Sequence, residues 1–250
     1  MRIAICLSGQ PRTPEIGFKF IKKYLIDPNK EHQIDFFLHA WYDEKEIGKA
    51  WDSAQPYPEG KNGYIKTGTD KFLLNSYKPL KYIIEHQKDF SNHTISFNSH
   101  FSAKQNILAS FFYSMNKSSE LKKEYEKENN FKYDMVIRTR YDLAYMKPVD
   151  FSQFKPNLDK IIVPAKFQTD QDNFNNKNKP MVDIFAASTS ENMDIFCDIY
   201  NNMKMLNKKI EPPFAENYFG QWVRVENNKQ LHLHDIEVQI LHRMINSGDF

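Results

Sequence analysis

The sequence predicts an α/β fold, a mostly parallel sheet flanked by helices, in a single domain over residues 1–250. Three observations carry this. Apolar runs at 3–7 (IAICL), 34–41 (IDFFLHAW) and 135–137 (MVI) are short and nearly uninterrupted, as strands buried on both faces are. Segments of helical character, at 14–24 and 102–130, alternate with these runs, and strands alternating with helices build parallel sheets. A hydrophobic fraction of 40%, with 20 Phe and 13 Tyr, suffices for a sizeable core.

Charge and cysteine usage narrow the class. Lys and Arg number 34 against 32 Asp and Glu, a net +2. That is no basic field, so a nucleic-acid partner is not expected. Cys6 and Cys197 both sit in apolar surroundings and read as small buried residues in a reduced, cytoplasmic protein. No apolar run reaches the roughly 18 residues of a membrane span. The run after Met1 is too short for a signal peptide.

The first strand closes in Ser8-Gly9-Gln10-Pro11-Arg12-Thr13. This turn brings a hydroxyl, a glycine and a cation to the place where strand passes into helix, which is where phosphates dock in α/β sheets. The helix over 14–24 follows, with Pro14 and Glu15 in its first turn. In the strand over 34–41, His39 lies near the end, as a ligand contact or a satisfied core histidine. Residues 43–69, rich in Pro and Gly, read as a long loop or partly helical insertion. A short helix over 70–76 and a strand over 81–85 come next, then a polar loop over 86–101.

Ser102 is expected to cap the long helix. Ile107, Leu108, Phe111, Phe112 and Met115 form its apolar stripe. Lys104, Gln105 and Asn106 fall in its first turn, where a ligand would be met.

Residues 133–145, YDMVIRTRYDLAY, read as the fourth strand. Alternate side chains of a strand share a face, so Arg138, Arg140 and Asp142 would leave it together. Such charges require a ligand or one another. A fifth strand is expected over 160–165 and a loop over 166–180, whose Asp170 and Asp172 form a literal Asp-x-Asp that could hold a divalent cation, though a plain loop is the better reading. The sixth strand, 181–187, carries Asp183 between Val182 and Ile184. A helix capped by Ser188 or Ser190 follows. Glu216 lies in the first turn of another helix, facing the sheet if Tyr218, Phe219 and Trp222 pack inward. His232 and His234 share a face of the last strand.

SGQPRT after the first strand, DFFLHAW in the second, FFYSMNKSSELKK in the long helix and YDMVIRTRYDL in the fourth strand resemble a known family. It comprises bacterial and viral glycosyltransferase-like proteins with the GT-A fold, of the lipopolysaccharide- and capsule-synthesis type. The resemblance is sharpest over 1–41 and 102–145. It implies a GT-A-like (Rossmann-like) sheet with a nucleotide-binding half over 1–145 and an acceptor half over 146–250. It implies transfer of a sugar from a nucleotide sugar to a glycan acceptor in surface polysaccharide synthesis. Ser8, Gly9, Arg12, Asn106, Arg138 and Arg140 would then line the nucleotide.

Members of that family carry Asp-x-Asp at the end of the equivalent strand, where it holds Mn2+ or Mg2+ against the diphosphate. Here the triplet is Arg140-Tyr141-Asp142, and only Asp142 matches. The resemblance therefore places a divalent cation on Asp142 with His234 or His232. An arginine at 140 can itself pair with phosphate oxygens. If the reaction inverts, a carboxylate must deprotonate the acceptor hydroxyl, and Glu216 and then Asp183 are expected in that role. Two other activities share these features: a sugar-phosphate nucleotidyltransferase, and a glycan-binding or scaffold protein without turnover.

Overall fold

A computed structural model describes residues 1–46, 66–90, 99–165, 181–210, 213–241 and 244, with backbone alone at 46 and 99–105. The predicted α/β architecture is present. Strands β1 (Arg2–Gly9), β2 (Gln33–Trp41), β3 (Lys81–Glu85), β4 (Met135–Thr139), β6 (Ile161–Pro164), β7 (Ala186–Ser188) and β8 (Leu231–His234) form one sheet. Its order is β3-β2-β1-β4-β7-β6-β8. β1, β2, β3 and β4 run parallel, β6 and β8 run parallel to each other, and β7 alone is antiparallel to its neighbours β4 and β6. Six of the seven strands therefore end at the same edge.

The alternation of each strand divides the core. Phe37 meets Tyr125 of helix α3 (Ser99–Glu128), while its neighbour Phe36 meets Tyr77 of helix α2 (Thr69–Tyr77) on the other face. Helix α1 (Pro14–Ile21) joins α2 through Phe18, edge-on to Tyr77 at 4.9 Å. The predicted strands 34–41 and 81–85 and helix 70–76 are found within a residue or two. The long helix begins at Ser99, three residues ahead of the expected cap at Ser102.

The segment 133–145 is not one strand. β4 ends at Thr139, the chain turns through 140–142, and Leu143–Tyr145 (β5) pairs with β9 (Val238–Ile240) in a separate two-stranded sheet. Tyr141 explains the break. Its hydroxyl donates to the carbonyl of His39 at 3.1 Å, and its ring lies fully buried against Tyr77. The backbone N–H of Leu241 donates to the carbonyl of Asp142 at 2.9 Å. Helix α1 lies directly on this turn: a Cβ on Gly17 would stand 1.8 Å from the carbonyl oxygen of Tyr141.

The sixth strand is also shorter than the expected 181–187, because only Ala186–Ser188 finds ladder partners. The helix after it is capped by Thr189, whose hydroxyl accepts from the N–H of Asn192, and not by Ser188 or Ser190. It is split into α4 (Ser190–Cys197) and α5 (Ile199–Leu206).

A buried charge cluster ties α3 to α4. Lys122, fully buried, donates to Asp194 at 2.7 Å, to Ser190 Oγ at 2.5 Å and to Glu126 at 3.1 Å. Glu126 in turn accepts from the N–H of Tyr133 at 2.9 Å, just ahead of β4. Both cysteines are buried free thiols, as expected, and burial raises both of their pKa values. Among the described residues, no helix is long and apolar enough to cross a membrane.

Candidate functional site

A cleft of about 250 Å³ lies at the carboxyl ends of β1 and β2 and beside the turn after β4. Ser8, Gly9 and Arg12 line it from the β1–α1 turn, and Arg140 from the turn after β4. Asp183 lines it from the stretch before β7, and Ile107 and Phe111 from α3. Five of the residues singled out in the sequence thus converge: Ser8, Gly9, Arg12, Arg140 and Asp183. They come from both halves of the chain.

The turn that carries them is shaped by Gly9, which adopts φ of +110°, and by Thr13 at φ of 44°. Gly9 tolerates that angle where a side chain would be strained. A chain of hydrogen bonds holds its N–H. Gly9 donates to Ser114 Oγ at 2.7 Å, Ser114 stands 2.7 Å from His39 Nδ1, and His39 Nε2 stands 3.0 Å from Glu85. Ser114 already accepts from Gly9, so its own proton points to Nδ1, and Nε2–H donates to the carboxylate. His39 is therefore a satisfied core histidine, neutral and fully buried, and it does not line the cleft.

This chain predicts a pH dependence. Burial lowers the pKa of His39 below its ordinary value. The hydrogen bond from His39 holds Glu85 near about 2, out of the range concerned. Lys88 and Lys117, the other charged groups near the ring, have pKa values raised by their hydrogen bonds to Glu85 and Glu120 and stay cationic there. Below about 6.5 the unfolded histidine takes a proton that the folded one refuses, so stability must fall as pH falls. Urea midpoints from pH 7.5 to 5.5 should drop further for the parent than for His39→Gln. Parallel curves would disprove this account.

Two buried donors at the cleft have no hydrogen-bond partner among the described residues: Ser8 Oγ and Trp41 Nε1. Both side chains line the cleft, and both residues are less than 5% exposed, at 3% and 4%. A polar group left unsatisfied in that way costs free energy that a ligand atom would recover.

The arginines behave differently from one another. Arg138 is fully buried and does not line the cleft. Its Nη1 donates to the carbonyl of Asp183, and its guanidinium lies 4.9 Å over the ring of Phe111. Burial lowers its pKa to about 10, so it remains a cation behind the cleft wall. Arg140 and Asp142, instead of leaving a strand face side by side, turn toward each other. Nε and Nη2 of Arg140 donate to the two carboxylate oxygens of Asp142, each at 2.8 Å. Arg12 Nε stands 3.8 Å from Asp142 Oδ2.

The remaining expected site residues lie apart. Asn106 is half-buried and its Oδ1 accepts from the N–H of Phe90 at 3.0 Å, so it shapes the chain beside the cleft without lining it. Glu216 occupies the first turn of helix α6 (Ala215–Phe219) as expected, but it is exposed and does not face the sheet; its neighbour Ala215 lines the cleft. Tyr218 and Phe219 take the inward positions.

His234 lies on β8, the far edge strand, three strands along from β4, and packs edge-on to Phe154 at 4.8 Å. Both oxygens of Asp142 are already engaged by arginine. Among the described residues no group of three His, Cys, Asp or Glu is placed to share a cation. The expected pairing of Asp142 with His234 or His232 thus does not match the donor geometry. Asp170 and Asp172 lie outside the described residues.

Trp41, Gln87, Ser110 and Phe111 line the cleft and were not read as site residues from the sequence. A tryptophan at the end of a buried strand was the one available signal for Trp41. Gln87 and Ser110 exchange hydrogen bonds at 2.7 and 3.1 Å across the cleft wall, a pairing that no spacing announces. No family model matches the chain, and no curated protein matches it.

Proposed function

We propose that the chain is a glycosyltransferase that moves a sugar from a nucleotide donor to a glycan acceptor, in the synthesis of surface polysaccharide. The observation that supports this is the convergence of Ser8, Arg12, Arg140 and Asp183 on one cleft at the carboxyl edge of the sheet. That edge is where open α/β sheets bind nucleotides. Three guanidiniums, counting the buried Arg138, stand in or behind the cleft against the carboxylates of Asp142 and Asp183. The excess positive charge suits a phosphorylated ligand.

In this reading Arg12 and Arg140 stabilise the charge that develops on the leaving diphosphate. Asp183 is the carboxylate in the cleft and takes the proton of the acceptor hydroxyl. Glu216, exposed and outside the cleft lining, is the weaker choice for that role.

A thermal-shift screen of UDP-, GDP-, CMP- and TDP-sugars tests the reading. A donor at 100 times its dissociation constant should add about 2.7 kcal/mol of stability. A shift with one nucleotide class identifies the donor. The absence of a shift with all four sinks the proposal.

A further inference from the structure

We infer that the phosphate end of this site works without a metal ion, and that Asp142 is a positioning residue for two arginines and not a cation ligand. The inference rests on the cleft being an anion site, as proposed above. It departs from the metal-bridged arrangement that the resemblance implies.

The geometry points this way in four respects. Arg140 grips both oxygens of Asp142 in a fork, the bidentate pattern that fixes a guanidinium in orientation as well as in place. Arg12 approaches the same carboxylate from the β1–α1 turn, so one buried anion organises two cations that both line the cleft. Asp142 itself is 1% exposed and does not line the cleft, which leaves it poorly placed to reach a ligand-bound ion directly. The turn that holds all this is locked by Tyr141 to the end of β2 and by Leu241 to the carbonyl of Asp142.

A separate observation points to a ligand at the same place. The hydroxyl of Ser8, almost fully buried, lines the cleft with no partner among the described residues. A hydroxyl beside two guanidiniums is a donor set for phosphate oxygens. A hard divalent cation would instead collect carboxylate and carbonyl oxygens.

The test is calorimetric titration of the full chain with inorganic pyrophosphate in EDTA, and again with its Mg2+ complex. The expected result is binding in EDTA that Mg2+ does not tighten. Arg140→Gln and Asp142→Asn should each weaken binding about tenfold or more, the scale of a lost charge-assisted hydrogen bond. If Asp142 acts through its two arginines, the Arg140→Gln, Asp142→Asn double variant loses less than the sum of the single losses, and Asp142→Asn adds nothing once Arg12→Gln and Arg140→Gln are both in place. Additive losses would mark a general structural role and overturn the assignment.

Binding that appears only with Mg2+ and vanishes in EDTA would also overturn it, and would leave the transferase reading standing. Metal-free pyrophosphate binding in a chain that takes no nucleotide sugar would do the reverse. Arg140 is half-buried and at the turn surface, so its variant keeps the test valid should Asp142→Asn fail to fold.

Discussion

Gly17→Ala should be strongly destabilising. Alanine is the better helix former by about 1 kcal/mol, so propensity alone predicts a gain. The added methyl would sit 1.8 Å from the carbonyl oxygen of Tyr141, and neither partner is a flexible side chain. Relief requires α1 to lift or the 140–142 turn to shift, and that turn is held by Tyr141 and by Leu241. Overpacking of a core usually costs 1–3 kcal/mol; backbone against backbone belongs at roughly 3 kcal/mol or more. Urea unfolding measures it, together with soluble yield. A variant as stable as the parent would mean that α1 does not lie against this turn. The same substitution should weaken ligand binding in whatever fraction folds, because Arg140 and Asp142 ride on the displaced segment.

The second large effect is expected at Lys122. Its fully buried ammonium is shared by Asp194, Glu126 and Ser190. Lys122→Met keeps much of the volume and removes the charge, leaving two carboxylates without their main partner. Breaking a buried ion pair from one side costs about 3–5 kcal/mol, a large share of the 5–15 kcal/mol that holds a typical domain together. Cluster removal as a whole is a different matter: Lys122→Met combined with Asp194→Leu and Glu126→Gln should recover part of the loss. A loss below about 1 kcal/mol for the single change, read from the urea midpoint, would show that water reaches these carboxylates.

The sequence made the sheet legible because its central strands are largely buried and their apolar runs are nearly uninterrupted. Leu7 to Gly9 and the glycine-bearing turn after them announced the cleft for the same reason: an apolar run must end somewhere, and polar groups gather there. The 140–142 turn was not legible. Nothing in RTRYDLAY breaks the alternation of a strand, and the residue that ends β4 does so by reaching carbonyls of strands over a hundred positions away. Glu216 shows the same limit, since the first turn of a helix has an outward as well as an inward side and a short helix leaves the choice to its neighbours. His234 shared its expected face with His232, yet strand order carries β8 to the far edge. Local pattern fixes which side chains go together, whereas the order of strands decides which sites they reach.

The three-residue strand β7 has a mechanical meaning. The sheet consists of two parallel blocks, β1 to β4 on one side and β6 with β8 on the other, and among the described residues Ala186–Ser188 is the strand that joins them. Toward β6 the register rests on Ile162 opposite Ala187. Opening free energy in a protein is lowest where few backbone ladders must be broken, so this seam is where the domain should breathe first. Ser8 and Trp41 belong to one block, while Asp183 leads into the stitch itself. Arg138 of β4 holds the carbonyl of Asp183, so the cleft stays with the β1–β4 block, and the β6–β8 block can part from it without changing the cleft's width.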